Sequence, residues 1–277
     1  MKTRRIDIPA FILHIVLMCG VLFVALPFLW MILSSLKSLS DFYSFTFFPK
    51  HIDWSAYQYI FGQTEYLRWY LNSFIVGIVV TVSGLLFDSL IGYVLAKHRF
   101  PGSKVVFVLI LSTFMIPTEM LVIPWYVMSV KLHWVDSYWG IMFPGMIEAF
   151  GVFLMRQFMF GVPDDLLNAA RIDGMSEFRI WWNVAVPQVK PALSALGIIT
   201  FLGNWNAYLW PVIIISSSKM RTLPVGIALY ASADNGGGIQ WNTIMAMSTI
   251  AVIPIIIVFL IFQKQIVEGI TLTGVKG

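Results

Sequence analysis

Charged residues are scarce in this chain of 277 residues. They make up 12% of the sequence, whereas hydrophobic residues make up 58%, and the mean hydropathy is +0.81. A soluble globular protein carries about 25% charged residues, so this chain has too little polar surface to face water on all sides. The composition therefore predicts an integral membrane protein.

Cysteine and recognisable catalytic motifs are also scarce. The one cysteine, Cys19, lies inside an apolar run, which excludes a disulfide framework and a cysteine metal cluster. The four histidines are scattered without an HExxH pattern, and the sequence contains neither a GxSxG elbow nor a GxxxxGK[ST] phosphate loop. We therefore predict no metal site, no catalytic residue and no nucleotide bound by this chain. The basic residues sit singly at the ends of apolar runs, so the net charge of +4 does not indicate nucleic-acid binding.

Long apolar runs are abundant instead. A bilayer core of about 30 Å is crossed by roughly 20 apolar residues in a helix, and continuous runs of this length favour helices over the alternating strands of a barrel. The first run is too long for the apolar part of a secretory signal and is expected to be an uncleaved span. We predict an all-α, polytopic protein in which residues 1–277 form one transmembrane domain. Six spans are expected at about 10–36, 69–96, 104–129, 138–160, 190–216 and 242–263.

The distribution of lysine and arginine predicts the orientation, because cytoplasmic segments carry an excess of these residues. With the N-terminus inside, twelve of the 18 lie on the cytoplasmic side and six on the outer side. Both termini are therefore expected in the cytoplasm. The outer segment "DWSAYQYIF" has the aromatic character of a helix lying on the membrane surface.

Polar side chains within the spans are costly in lipid and are therefore candidates for function. Asp88 either pairs with an inner basic residue such as Lys97 or has a functional role. The other polar side chains within the spans either form hydrogen bonds between helices or line a polar path. Pro117 and Pro124 are expected to break or kink the third span around Glu119. The candidate path residues are Glu119, Glu148, Asn204, Asn206 and Tyr208.

One polar module, at about 161–189, faces the cytoplasm in this arrangement. Pro163 followed by two aspartates is typical of a helix start, and Gly174 is typical of a helix end. Ser176 can cap a second helix, which is expected to end before Pro187. A first helix of about ten residues is marginal alone, so the module is either an ordinary connection or a helix that docks in a partner's groove.

The stretch "LNAARIDGMSEFR" in this module resembles the EAA loop of binding-protein-dependent ABC importer permeases. The family pattern E-A-A-x-x-D-G-A matches at Ala169, Ala170, Asp173 and Gly174, whereas Asn168 and Met175 depart from it. Further stretches resemble the carbohydrate-importer branch, of the maltose-permease G-subunit type, in order along nearly the whole chain. They include "LNSFIVG", "AKHRFPG", "MIPTEMLVIP", "FLMRQF", "NWNAYLWP" and "RTLPVGIA".

The resemblance implies a transmembrane subunit of an ATP-driven importer in a bacterial or archaeal cytoplasmic membrane. Its partners would be a second, non-identical permease subunit, two ATPase subunits that bind ATP and Mg²⁺, and an extracytoplasmic binding protein that delivers an oligosaccharide. The resemblance also implies an ATPase-docking surface. That surface would comprise Asn168, Ala169, Ala170, Arg171, Asp173 and Gly174.

Two rival functions remain at this point. The same architecture could import glycerol phosphate, a polyamine or another charged solute. No basic residue lies deep in the spans, which disfavours an anionic solute. Glu119 and Glu148 are compatible with a cationic solute. The second rival is a membrane transporter or enzyme that works without an ATPase.

Overall fold

The computed structural model describes residues 8–44, 46–233 and 240–274, with side chains from Leu13 to Gln263 outside the two gaps. The terminal residues 1–7 and 275–277, which were predicted to be cytoplasmic, lie outside the described residues. Within the described part of the chain the regular structure is helical, and no strand occurs. The helices are α1 Ile8–Ser35, α2 Leu39–Phe42, α3 Ser55–Gln63, α4 Tyr66–Lys97, α5 Ser103–Phe114, α6 Thr118–Lys131, α7 Tyr138–Met142, α8 Ala149–Phe160, α9 Asp164–Ile172, α10 Glu177–Ile180, α11 Val186–Gln188, α12 Lys190–Trp205, α13 Leu209–Ile214, α14 Leu223–Ser232 and α15 Trp241–Gly274.

Three of the predicted spans are single long helices. By length and composition, Leu13–Ser35, Tyr66–Lys97 and Trp241–Gln263 can each cross a membrane. In the most apolar stretch of Leu13–Ser35, no residue is buried within the chain. Three further spans become possible if each of three bent helix pairs counts as one crossing. The all-α, multi-span prediction is thus confirmed.

The other predicted spans are broken rather than straight. In the third, α5 and α6 meet at 101°. The break lies at Pro117, which immediately precedes α6. A proline drives the residue before it out of helical geometry, so α5 cannot continue into α6. Pro124, by contrast, lies inside α6 and does not end it. In the fourth, the helix from Tyr138 to Gly145 bends by 43° before α8.

The fifth predicted span, 190–216, is interrupted after Trp205, and only α13 follows within it. The preceding segment Glu177–Gln188 meets α12 at 87°. The expectation that its helix ends before Pro187 is wrong. A π-helical turn at Trp181–Ala185 leads into α11, where Pro187 occupies a first-turn position whose N–H is not used by the helix.

Backbone contacts divide the chain into two units. The first comprises the described residues up to Tyr66 together with those in 227–253. Within it, Tyr66 Oη donates to the carbonyl of Met247 at 2.6 Å, and Asn242 Nδ2 donates to the carbonyl of Lys37 at 3.1 Å. The predicted helix in "DWSAYQYIF" is present as α3, which buries Ala56 and Ile60.

The second unit comprises 67–226 and the described residues from Pro254 onward. A buried cluster in this unit joins the inner part of α4 to α8, α9, the π-helical turn and the start of α12. Because this cluster includes the buried face of α9, the short helix is held by tertiary packing. The buried members are Tyr93, Met155, Met159, Val162, Leu167, Ala170, Ile180, Trp181, Ala185, Val189, Ala192 and Leu196.

Candidate functional site

The module predicted at 161–189 folds as a helix, a tight turn and a second helical segment. α9 begins at Asp164 with two aspartates in its first turn, where the positive end of the helix dipole favours them. Gly174 has φ +80°, and the N–H of Met175 donates to the carbonyl of Ala170 at 3.0 Å. This is the left-handed cap that glycine forms without a Cβ penalty, so the predicted helix stop is confirmed.

Two sets of polar contacts fasten this module. Lys97 Nζ lies 2.7 Å from Asp164 Oδ1 and also donates to the carbonyl of Val162 at 2.6 Å. Lys97 was considered as a partner for Asp88, and it binds Asp164 instead. The hydrogen bond from Lys97 holds the pKa of Asp164 below its usual value. The start of α9 is therefore bound to the last turn of α4.

The second set of contacts centres on Glu177. Arg171 Nε donates to Glu177 Oε1 at 2.7 Å, and Arg171 Nη1 donates to Asn168 Oδ1 at 2.8 Å. Tyr93 Oη and His98 Nε2 lie 3.1 and 3.2 Å from Glu177 Oε2. The hydrogen bond from Arg171 lowers the pKa of Glu177, and the same bond raises the pKa of Arg171.

The predicted docking residues do not all face outward. Asn168, Ala169, Asp173 and Gly174 are exposed. Arg171 is partly covered. Ala170 is 6% exposed and packs in the core, so its own surface is closed to a partner. Its small side chain instead lets α9 approach the rest of the second unit.

Large apolar side chains stand exposed on the same module, and the sequence prediction did not include them in the docking set. Ile172 is 86% exposed, Phe178 59% and Trp182 52%. The exposure of Ile172 follows from the helical geometry, because Leu167 and Ala170 turn one face of α9 inward and leave Ile172 on the other. Large exposed apolar side chains of this kind are candidates for contact with another protein or with lipid.

A cavity of about 420 Å³ lies in the second unit where the broken spans meet. Its walls come from the residues flanking the α5–α6 break, the turn before α8, the end of α12 and α13. Glu148 and Asn204 both line it, together with Trp125, Trp210 and Thr222. The volume is in the range of small-molecule sites.

The aromatic side of this cavity is held rigidly. The rings of Trp125 and Trp210 are 5.7 Å apart at 74°, an edge-to-face arrangement. Trp210 Nε1 donates to the carbonyl of Gly140 at 2.9 Å, and the ring of Phe143 lies 5.9 Å from that of Trp210. The two indoles are thus fixed in orientation before any solute enters.

The polar side consists of groups from different segments. Asn204 Nδ2 donates to the carbonyl of Thr200 at 2.8 Å, which orients the amide. Thr222 is 3% exposed, and its hydroxyl has no hydrogen-bond partner among the described residues. Buried polar groups are normally paired, so Thr222 is a candidate to bind solute. The sequence prediction missed Thr222, as it missed Trp125 and Trp210.

The other predicted path residues do not line this cavity. Glu119, Asn206 and Tyr208 are exposed. Asn206 Nδ2 donates to the carbonyl of Leu202 at 2.9 Å, in the last turn of the preceding helix α12. The structure therefore brings together two of the five predicted residues. Over the described residues, no group of three or more His, Cys, Asp or Glu is placed to hold a metal ion.

Residues 88–271 match the family described as the inner membrane component of binding-protein-dependent transport systems. That match spans the 161–189 module and, except for Val76, the residues that line the cavity. The chain belongs to this family. It is a permease subunit of an ABC transport system and a multi-pass inner membrane protein, as the resemblance of the EAA stretch implied.

Relatives of this permease match it over almost its full length. It is 38% identical to the arabinooligosaccharides transport system permease protein AraQ of Bacillus subtilis (strain 168), over 91% of this chain and 90% of the relative. It is 35% identical to the sn-glycerol-3-phosphate transport system permease protein UgpE of Yersinia pestis, over 93% and 94%. A crystal structure of a bacterial ABC transporter that imports the acidic polysaccharide alginate contains a chain with the same fold. The TM-score is 0.84 at 24% identity, over 95% of this chain and 98% of that one.

Proposed function

We propose that this permease carries an oligosaccharide across the cytoplasmic membrane of a bacterium or archaeon. An extracytoplasmic binding protein delivers the solute, and a second, non-identical permease subunit completes the path. The observation that carries this proposal is the cavity at the broken spans, whose described lining combines two fixed indole rings, uncharged hydrogen-bonding groups and the carboxyl group of Glu148. Sugars present apolar ring faces and many hydroxyls, so they match such a lining. The relative from Bacillus subtilis is named for arabinooligosaccharides, which supports the same class.

Within the cavity, Asn204 and Thr222 supply hydrogen bonds to sugar hydroxyls, and Trp125 and Trp210 supply apolar contact. Glu148 accepts from hydroxyls and is the charged group of the described lining. Exchange of cavity water for hydroxyls leaves the polar groups paired. The remaining predicted residues, Glu119, Asn206 and Tyr208, do not line the cavity, and in this proposal they make no contact with the solute.

Two ATPase subunits, one beneath each permease subunit, bind ATP and Mg²⁺ in this proposal. The exposed surface of the 161–189 module docks on one of them, with Asn168, Ala169, Asp173 and Gly174 beside the apolar side chains Ile172 and Phe178. Closure of the ATPase pair moves this module and switches the cavity between outward and inward access. This permease contributes no catalytic group to hydrolysis.

A charged solute is the alternative, because one set of relatives is named for sn-glycerol-3-phosphate. The described lining of the cavity contains Glu148 and no lysine, arginine or histidine. A phosphate would meet a carboxylate without a compensating cation, which is unfavourable in a cavity of low dielectric. The sugar is therefore the better match.

The decisive experiment is uptake of a labelled arabinooligosaccharide by vesicles that contain the complete transporter and its binding protein. Asn204→Ala is compared with Asn206→Ala. The two side chains make equivalent bonds to the carbonyl four residues earlier, yet only Asn204 lines the cavity. We expect Asn204→Ala to lower uptake about tenfold, as loss of a buried hydrogen bond of 1.4 kcal/mol implies, and Asn206→Ala to leave uptake unchanged.

Equal uptake by both variants would remove this cavity from the path. Uptake of glycerol phosphate in preference to any saccharide would overturn the substrate class. ATPase copurification is measured in each preparation, so that loss of assembly is distinguished from loss of solute contact.

A further inference from the structure

Both ends of the docking helix α9 are bound to the inner end of one span, α4. At its start, Asp164 pairs with Lys97, whose side chain is 6% exposed. At its end, Arg171 is connected through Glu177 to Tyr93 and His98. Tyr93 and Lys97 are four residues apart and therefore lie on the same face of α4. The two fastenings together fix α9 against that face.

Glu177 is the shared element of the second fastening. Its Oε1 accepts from Arg171 Nε at 2.7 Å, and its Oε2 lies 3.2 Å from Arg171 Nη2. The same Oε2 accepts from Tyr93 Oη at 3.1 Å. A two-pronged arginine–carboxylate contact restricts orientation more than a single bond. Glu177 lies beyond the EAA pattern, so this role does not follow from the motif.

We propose that Glu177 is a positioning residue that makes α9 and α4 move as one piece when the ATPase subunits close. The proposal rests on the proposed function, since it takes α9 as the ATPase contact. α4 continues from Tyr93 to Val76, which lines the cavity at the broken spans. Glu177 thus connects the docking surface to the cavity through a single rigid helix.

Apolar packing alone does not supply the same constraint. Leu167 and Ala170 hold α9 in the core, but apolar contacts are non-directional and permit small rotations. The Glu177 contacts define an orientation, and their anchor on α4 is protected, because Tyr93 is 1% exposed. A protected anchor is screened less by salt than a surface pair.

The test uses the complete transporter in proteoliposomes with its binding protein. Glu177→Gln keeps the size of the side chain and removes its charge. Asp165→Asn is the matched control, because Asp165 is an exposed carboxylate on α9 with no ion pair among the described residues. Three quantities are measured: ATPase copurification, the stimulation of ATP hydrolysis by the binding protein, and solute moved per ATP.

For Glu177→Gln we expect unchanged copurification, but at least about a fivefold loss in both stimulation and solute per ATP, the size of effect that changes to a coupling network produce. Tyr93→Phe removes the α4 end of the contact without altering the docking surface, and it should reproduce part of the loss. Asp165→Asn should match the wild type in all three quantities.

Glu177→Gln and Tyr93→Phe variants that behave as Asp165→Asn would overturn the proposal. So would a parallel loss of ATPase copurification, which would make Glu177 a docking contact. Stimulation by the binding protein does not depend on knowing the transported solute. If the binding protein stimulates ATP hydrolysis by the wild-type complex but no saccharide is taken up, the proposed substrate is contradicted. The variants still decide the role of Glu177, because stimulation is measured without knowing which solute is transported.

Discussion

Asp88 Oδ1 accepts a hydrogen bond of 3.1 Å from the backbone N–H of Glu148, at the point where the fourth span bends. Asp88 is 1% exposed and lies on α4, whereas Glu148 immediately precedes α8. The carboxylate thus meets the positive end of a helix dipole, where unpaired backbone N–H groups are available. This contact explains how an acidic residue is accommodated within a span.

Gly151 is required for that contact, which leads to the first prediction. A Cβ at position 151 would overlap the carboxylate of Asp88. We expect Gly151→Ala to destabilise the protein by about 1–3 kcal/mol, the usual effect of overpacking, as measured by thermal unfolding in detergent. Gly203→Ala is the control, because nothing lies within 4 Å of its ideal Cβ. Equal stability of the two variants would show that α4 and α8 are farther apart than described.

The sequence predicts local features of this fold well. Gly174 ends a helix, and Pro117 interrupts the third span, because both residues act on their own backbone conformation. The polar module at 161–189 was also predicted from a local feature, because charged residues cluster there between two apolar runs. These features depend on a few consecutive residues and therefore need no knowledge of tertiary structure.

Features that depend on packing were not predictable. Lys97 pairs with Asp164 rather than Asp88, although all three are inner polar groups, because the choice depends on how α9 packs against α4. The cavity joins Glu148 and Asn204 with Thr222, which lies in a segment expected to be outside the membrane. Ala170 is likewise turned inward although its exposed neighbour Ala169 has the same side chain.

The second prediction concerns the exposed apolar side chain of Ile172. Truncation to alanine removes no described contact in the core of this chain, so we expect its own thermal stability to change by less than about 0.5 kcal/mol. A minority of interface residues dominate binding and cost more than 1 kcal/mol when truncated. We expect Ile172 to be one of them because of its large exposed apolar surface, so ATPase binding should weaken about tenfold. Binding is measured by titrating the purified ATPase into permease-containing nanodiscs. Unaltered affinity would place the docking surface elsewhere.

The third prediction concerns pH and Asp136, which lies outside the predicted spans. Its Oδ1 accepts from the N–H groups of Ser216 and Ser217, each at 3.0 Å. Partial burial raises the pKa of Asp136, but the hydrogen bonds from Ser217 and Ser216 outweigh burial and hold the pKa below its usual value. Because the folded state binds the proton less tightly, this contribution is complete above about pH 4–5 and is lost as the pH falls through the lowered pKa.

Unfolding midpoints at pH 7 and at pH 3.5 test this contribution of Asp136. Asp136 has φ +56°, a conformation that asparagine tolerates and alanine does not. We expect Asp136→Ala to lose about 1–3 kcal/mol at pH 7 and Asp136→Asn to lose less, since the amide oxygen still accepts. In both variants the unfolding midpoint should fall less between pH 7 and pH 3.5 than it does in the wild type. If the unfolding midpoint of Asp136→Asn fell between pH 7 and pH 3.5 by as much as that of the wild type, the pH dependence would belong to another carboxylate.

The last prediction concerns Asn168, which stands where the family pattern has glutamate. Arg171 Nη1 already binds the Asn168 side chain at 2.8 Å, so a carboxylate introduced at this position has a cation beside it within α9. We expect Asn168→Glu to keep that internal contact, to raise helix stability by about 0.2–0.5 kcal/mol, and to change ATPase affinity by less than about twofold. The measurement is the same nanodisc titration at low and at high salt. A gain of tenfold that disappears at high salt would instead mean that the glutamate reaches a basic group on the ATPase.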